Sequence, residues 1–272
     1  MKISIVTISY NQGRFLKECI DSVLLQRPSL AAIGVALEYI VVDPGSVDGS
    51  RKLIESYGYD LVTIFESDSG PADGLNRGFA KATGDIFAYM NADDKYLPGA
   101  LVTAMKVFHS NRCDVFFAHG WVISEDGSKL HRCLSHKFSL REYARGNCVV
   151  MQQSTFFRKD AYIKAGGFNE DNRVSWDGEL MVDMAIAGCS IVRVNKFLSC
   201  FRVYETSISG SGNYLAAAQL ERARISTKIC ASKGAFRMGL VLSRLVHRAI
   251  DPWYLIIRVI DGLRYGKRRI PS

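Results

Sequence analysis

Two adjacent carboxylates, Asp93 and Asp94, follow Asn91 at the end of the apolar run Ile86-Phe87-Ala88-Tyr89-Met90. A run of that length reads as a buried strand, and open α/β sheets bind their ligands beyond the carboxyl ends of such strands. Paired carboxylates at that position suit a hard divalent cation, Mg²⁺ or Mn²⁺, which takes oxygen ligands and shares them with phosphates. The competing reading is a solvated acidic turn that caps the next helix.

Other polar residues repeat this placement. The β-rich run Lys2–Ile8 puts Thr7, Ser9 and Tyr10 at a strand's carboxyl end. Leu37–Val42 is a second apolar run, ending in Asp43, whose carboxylate can accept hydrogen bonds from a base N–H or from ribose hydroxyls. Asp48 and Ser50 read instead as caps of the helix that starts at Ser50. Arg77 either adds a positive contact to a diphosphate or sits solvated on its helix face. Asp177 lies near the start of a helix that turns Leu180, Met184 and Ile186 inward, where the helix dipole favours a carboxylate.

The elements that carry these residues alternate between strand and helix. Phe15, Cys19, Ile20, Val23 and Leu24 form a helical stripe after the first strand, and Leu61–Glu66 reads as a third strand. Gly70, Pro71 and Gly74 break structure before a helix from Leu75 to Lys81, which Gly84 follows as a stop. Leu97-Pro98 opens a helix with Leu101, Met105 and Phe108 on one face, Asp114–Ala118 is the next strand, and Trp121 to His136 form a hairpin around Asp126-Gly127. No Gly-x-Gly-x-x-Gly follows a strand, which disfavours a dinucleotide oxidoreductase, and no Gly-Lys-Ser/Thr loop marks an NTPase.

The chain of 272 residues is 48% apolar and 23% charged, as in a soluble globular protein. No apolar run reaches the roughly 20 residues that span a bilayer, and Ile3–Ile8 is too short for an export signal, so cytoplasmic residence is expected. Seven cysteines without a Cys-x-x-Cys pair read as reduced thiols. The net charge of +8 points to anionic company, and acid-tipped strands are not what a nucleic-acid binder needs. From Arg222 onward, twelve Lys or Arg face two acids, Asp251 and Asp261, with Trp253, Tyr254 and aliphatics between them. This segment, Phe236 to Arg269 above all, reads either as helices lying on an anionic membrane, peripheral to the cytoplasmic face of an inner membrane, or as an appendage packed on the main domain.

Asp68-Ser-Gly70, Asn76-Arg-Gly78, Ala82-Thr-Gly-Asp85 and Asn91-Ala-Asp-Asp94, in this order, resemble the core of family 2 glycosyltransferases, and Thr7-Ile-Ser-Tyr-Asn11 and Asp43–Ser50 resemble its first signatures. The likeness runs over roughly residues 3 to 205. It implies an α/β fold, a GT-A-like doubly wound and mostly parallel sheet over residues 1–215, to which the change in composition adds a basic amphipathic helical extension over 216–272. It implies inverting transfer of a sugar from a nucleoside diphosphate sugar to a sugar or lipid-linked glycan acceptor, in bacterial-type polysaccharide or lipopolysaccharide assembly, with Mn²⁺ or Mg²⁺ at Asp93 and Asp94.

By the same resemblance Thr7, Ser9 and Tyr10 hold the base and ribose, with Tyr10 as an aromatic face or as ordinary packing, and Asp43 contacts the base. Asp68, Asn76, Arg77 and Asn91 fall in its substrate-binding motifs. Gln152 and Gln153, before the Ala165-Gly-Gly-Phe168 passage, either orient sugar hydroxyls or are simply solvated. Asp177 aligns with the catalytic base, but Trp176 stands where the family has an acid, and Glu179 lies two residues on, so the choice between Asp177 and Glu179 is open. Pro44 replaces a second acid common in the family. A non-catalytic nucleotide-sugar-binding protein is one alternative. A nucleotidyltransferase is another, though Thr7–Asn11 is not its Gly-rich phosphate loop.

Overall fold

The computed structural model describes residues 1–110, 112–205, 207 and 215–233. In chain order the elements are β1 (Lys2–Ile8), α1 (Gly13–Leu24), α2 (Arg27–Ala31), β2 (Ala36–Val42), α3 (Ser50–Ser56), β3 (Val62–Ile64), α4 (Pro71–Lys81), β4 (Ile86–Asn91), β5 (Lys95–Tyr96) and α5 (Ala100–Ser110). Then follow β6 (Val115–Ile123), β7 (Lys129–Cys133), α6 (Leu140–Ala144), β8 (Thr155–Arg158), α7 (Lys159–Ala165), α8 (Trp176–Ile186), β9 (Ile191–Arg202) and α9 (Leu215–Lys233).

Among the described residues the strands make one sheet in the order β3-β2-β1-β4-β8-β6-β9-β5, with β7 on β6. The first four run parallel, so β1, β2 and β4 end on the same edge, and β8 enters antiparallel between β4 and β6. The sheet is therefore α/β and parallel-rich, with a mixed second half. Side-chain alternation explains the unbroken apolar runs. Ile3, Ile5, Ile86, Ala88 and Met90 face a core closed by α1, α2 and α5, whereas Val6, Phe87 and Tyr89 face one closed by α4, α7 and α8. On that second face Phe79 stacks on Phe87 at 4.8 Å, and Phe168 meets Tyr89 at 5.2 Å and Trp176 at 5.6 Å. Helix α4 crosses β1 so closely that a Cβ at Gly78 would lie 2.4 Å from Val6 Cγ1.

Several boundaries differ from the sequence reading. The third strand is shorter, Val62–Ile64, because it is a sheet edge on which Val62 and Thr63 are exposed. Helix α4 starts at Pro71, whose fixed φ suits a first turn. The strand expected at Asp114–Ala118 runs on to Ile123, and its hairpin turns at Asp126-Gly127, where Asp126 Oδ1 accepts the Ser128 N–H at 3.0 Å. The N-cap of α3 is Gly49 rather than Asp48 or Ser50, and Asp48 stands one residue earlier, accepting from Ser50 N at 3.1 Å and Ser50 Oγ at 2.6 Å. Of the basic C-terminal part, α9 packs Ile225 and Ile229 against Leu140 and Val182, as an appendage does. Phe236 to Arg269 lie outside the described residues. No described helix is long and apolar enough to cross a membrane.

Candidate active site

The shared edge of β1, β2 and β4 gathers three buried acceptor atoms without a hydrogen-bond partner among the described residues: Ser9 Oγ, Asp43 Oδ2 and Asn91 Oδ1. A buried polar atom without a partner costs about 1–3 kcal/mol, so three on one edge make it a candidate for a ligand that brings donors. The rest of Asp43 is held firmly. Its Oδ1 accepts from Ser46 N at 2.8 Å, Gly45 N at 3.1 Å and Arg51 Nε at 3.3 Å, which leaves Oδ2 aimed and fixed.

Asn11, at φ +52°, joins the loops after β1 and β2, donating its N–H to Ser46 Oγ at 2.8 Å and accepting Val47 N–H at 3.0 Å. Asp48 adds a tie from the second loop to Gly13 N at 2.8 Å. Tyr10 is 62% exposed at this edge, so its ring is open rather than packed. Thr7 differs. Its hydroxyl is 2.9 Å from Tyr39 Oη inside the core, and only its backbone belongs to the edge.

Asp93 and Asp94 are adjacent but unlike. Asp94 is buried and both its oxygens are taken, Oδ1 by Arg202 N at 2.8 Å and Oδ2 by Gln153 Nε2 at 2.7 Å. Asp93 is half-buried, with the Tyr204 hydroxyl 3.0 Å from its Oδ2 and no other side chain on Oδ1 among the described residues. Burial raises both carboxyls, and the neighbouring Asp93 charge raises Asp94 further, an electrostatic situation that a cation relieves.

No cluster of three His, Cys, Asp or Glu that could hold a metal occurs among the described residues. That donor set still fits Mg²⁺ or Mn²⁺ shared with a diphosphate, because such ions are commonly held by one or two carboxylates plus phosphate oxygens and water. Asp93 is the carboxylate available for that purpose. Asp94, expected beside it as a ligand, turns inward, with each of its oxygens accepting a hydrogen bond from the protein.

Behind the pair stands a group the sequence reading missed. Arg202, 2% exposed, donates from Nε to the Asp93 carbonyl at 2.8 Å and from Nη1 to the Glu125 carbonyl at 2.7 Å, and its Nη2 pairs with Glu18. Tyr204 also lies 3.2 Å from Gln12 Oε1, and its ring packs on Phe15 at 5.0 Å and under Arg14 at 4.7 Å. An arginine and a tyrosine at the end of a late strand carry no local signal. The pairing of β9 with β5, Lys95 opposite Cys200, and with β6, Ile123 opposite Arg202, brings them to Asp93.

Around α4 the structure separates the expected contacts. Asp68 stands over the helix start, accepting from Gly70 N at 3.0 Å, and desolvation raises its carboxyl. Arg77 is engaged by Asp73 at 2.8 Å and 3.1 Å, one turn back on its own helix. Asn76, expected at the substrate, is engaged by the protein's own groups. Its amide donates to the Phe168 carbonyl at 3.0 Å and to Glu170 Oε1 at 2.8 Å, while its oxygen accepts from Tyr162 Oη at 2.7 Å and Phe168 N at 2.9 Å.

The two glutamines are buried rather than solvated: Gln153 orients Asp94, and Gln152 donates to the Tyr89 carbonyl at 3.3 Å. Gln152 also lines a cavity of about 230 Å³ with Tyr89, Tyr143, Phe157, Met181 and Asp177. Asp177 is the one charged side chain on its wall among the described residues, and desolvation raises its carboxyl against the pull of the Gly178 and Asp177 amides. Gly178 lets α6 come close, since a Cβ there would lie 1.9 Å from Tyr143 Oη.

Glu179 has the opposite surroundings. It is buried and accepts from Arg224 Nη1 at 2.9 Å, Lys228 Nζ at 3.1 Å, Asn172 Nδ2 at 2.8 Å and Asn169 Nδ2 at 3.1 Å. Desolvation pushes its carboxyl up, but these bonds, Arg224's first, outweigh it and hold the group at about 2.

The sequence model described as Glycosyl transferase family 2 matches residues 4–165. An uncharacterized glycosyltransferase of Nostoc sp. is 36% identical over 231 residues, 80% of this chain and 68% of that protein. The putative teichuronic acid biosynthesis glycosyltransferase TuaG of Bacillus subtilis is 24% identical over 215 residues, 77% of this chain and 82% of that protein. Among solved structures, S. aureus TarS 1–349 in complex with UDP-GlcNAc superposes with a TM-score of 0.67 at 15% identity, over 98% of this chain and 76% of that one. The mannosyltransferase PcManGT from Pyrobaculum calidifontis, in complex with GDP-Man and Mn²⁺, gives 0.56 at 15% identity, over 97% and 86%. Both structural likenesses are of fold.

Proposed function

Since the chain belongs to glycosyl transferase family 2, we propose that it transfers a sugar, with inversion, from a nucleoside diphosphate sugar to an acceptor hydroxyl. The observation that carries this is the row of unsatisfied acceptors Ser9 Oγ, Asp43 Oδ2 and Asn91 Oδ1 beside Asp93. Base and ribose offer N–H and O–H donors to such a row, and Tyr10 offers them an open ring. Asp93, held by Tyr204 and by the Arg202–Asp94 brace, is the side chain that would hold Mn²⁺ or Mg²⁺. A cation bound there supplies positive charge to the departing diphosphate.

Asp177 is the base in this reading. It takes the acceptor's hydroxyl proton as that oxygen bonds to the anomeric carbon, while the bond from that carbon to the diphosphate oxygen breaks and its electron pair leaves with the diphosphate. Its desolvated carboxyl is more basic than an ordinary aspartate, and among the described residues no cation lines the cavity wall beside it, whereas Glu179 is occupied by Arg224 and Lys228. The aromatic and aliphatic cavity at Asp177 seats the acceptor, a sugar or lipid-linked glycan of a polysaccharide pathway. The likeness to a teichuronic acid glycosyltransferase supports that choice. The enzyme would work in the cytoplasm or against the cytoplasmic face of a membrane, where its basic C-terminal segment meets anionic lipid.

The test is incubation with a panel of uridine, guanosine and thymidine diphosphate sugars and Mn²⁺, recording nucleoside diphosphate release. One donor should be consumed well above the others, with release lost in Asp177→Asn. Equal and Asp177-independent background release from every donor would overturn the reading.

A further inference from the structure

We propose that Glu179 is a positioning residue, a buried latch that fixes α9 on α8 and thereby keeps the α6 wall closed over Asp177. This rests on the reading of Asp177 as the base. The latch is specific in its geometry. Glu179 lies two residues beyond Asp177 on α8 and meets Arg224 and Lys228 of α9, and Lys228 also reaches Asp183 Oδ1 at 2.5 Å, one turn further along α8. The same helix holds α6: Ile225 and Ile229 pack on Leu140, and Ser226 Oγ donates to the Ala144 carbonyl at 3.3 Å. Helix α6 carries Tyr143, whose hydroxyl presses on Gly178 beside Asp177, and the chain after it supplies Cys148, Val149 and Val150 to the cavity wall. The contacts run without a gap from α9 through α6 to the wall that desolvates Asp177.

An apolar side chain at 179 could join two helices as well as a carboxylate does, because burying an ion pair brings a desolvation cost that an apolar contact avoids. What a buried carboxylate between two cations adds is one register. Arg224 and Lys228 are four apart on α9 and close on Glu179 together, so a sliding or rotated α9 leaves a buried charge unpaired. Arg224 and Lys228 are themselves part-exposed at 42% and 39%, so they can be replaced without opening the core.

The titratable groups that line the cavity with Asp177 are Tyr89, Tyr143 and Cys148. Burial keeps all three protonated at neutral pH, with the Cys148 thiol pushed up to about 11. The charged groups on the helices packed around it are Arg141 and Glu142 of α6, Glu179 and Asp183 of α8, and Glu221, Arg222, Arg224, Lys228 and Lys233 of α9. Release of the latch therefore reaches Asp177 as hydration through the opened wall, not as a new neighbouring charge.

Two readouts on the full-length chain need neither donor nor turnover, so they fail or succeed independently of the proposed reaction. The first is iodoacetamide labelling of Cys148 on the wall, mapped by mass spectrometry, with exposed Cys230 as the reference and buried Cys19 as the marker of global unfolding. The second is the carboxyl ¹³C titration of Asp177, assigned with Asp177→Asn.

In R224A/K228A, Cys148 labelling should accelerate at least tenfold relative to Cys230, and the Asp177 titration should fall toward that of an ordinary aspartate. R224K/K228R should restore both. If Cys19 labels too, the single substitution R224A decides by the same criteria. Labelling of Cys148 within twofold of the native rate, or an unmoved Asp177 titration, overturns the latch.

Discussion

Asp94 Oδ1 receives the backbone N–H of Arg202 at 2.8 Å, which ties the end of β4 to the end of β9 across 108 residues of sequence. That bond divides the labour of the acid pair and makes its two members separable by experiment. Asp94→Ala should lower the melting temperature by several degrees, because Arg202 N and Gln153 Nε2 lose a buried acceptor at about 1–3 kcal/mol. Asp93→Ala should melt within about a degree of the native protein and lose the Mn²⁺ dependence of nucleoside diphosphate binding, read by calorimetry with and without EDTA. Equal loss of metal-assisted binding with no change in melting for Asp94→Ala would contradict this division.

Asp177→Asn should lower turnover by about 10²- to 10⁴-fold, the usual contribution of a positioned base, and leave donor affinity unchanged. The pH profile follows from the raised carboxyl. The base works ionised, so activity should fall as pH drops through a midpoint above the ordinary aspartate value of about 4. An acid limb at or below that value would mean the cavity does not desolvate Asp177.

Asp43→Ala should raise the donor's dissociation constant by about 10- to 100-fold and weaken discrimination among bases, since a hydrogen bond to a charged acceptor is worth roughly 1.5–3 kcal/mol. Titrating the mutant with uridine and guanosine diphosphates checks both effects. Unchanged affinity would return Asp43 to a purely structural role in its turn with Gly45 and Ser46.

Glu179 gives a pH dependence of stability with a definite sign. Its folded carboxyl is depressed from 4.5 to about 2, so its ionised form stabilises the fold fully above pH 4.5 and loses that contribution as pH falls through about 2. Arg224 and Lys228 are part-exposed, and after discounting for solvent screening the contribution is on the order of 2 kcal/mol. Urea unfolding of the native protein and of Glu179→Gln should differ by that amount near neutral pH and converge in strong acid. Parallel curves down to pH 2 would refute the assignment.

The parallel strands and the acids at their ends were legible in the sequence because both sheet faces are buried. A strand enclosed on both sides shows as a continuous apolar run, and the first polar residue after it marks the edge where ligands sit. What could not be read was which way each polar side chain turns. Asn76 belongs to the turn at Phe168, 92 residues away, and Glu179 to α9, 45 residues on, and neither partner lies within the span of a local motif. Gln153 stands at a strand start, where solvation is the ordinary expectation, yet β8 is inserted between β4 and β6 and carries it beneath Asp94. Trp176, which stands where the family has an acid, is core in this fold, packed on Tyr89 at 5.5 Å.

Gly178 separates Asp177 from Glu179, and the Tyr143 hydroxyl occupies the space its side chain would fill. The bore of the cavity at Asp177 is thus set in part by a position that has no functional group of its own. A methyl group there would force the tyrosine outward and reshape the mouth beside Asp177, leaving the edge at Asp43 and Asp93 as it is. The shape of this cavity can therefore be changed at one small residue and its aromatic neighbour, at a distance from the acids that end the parallel strands.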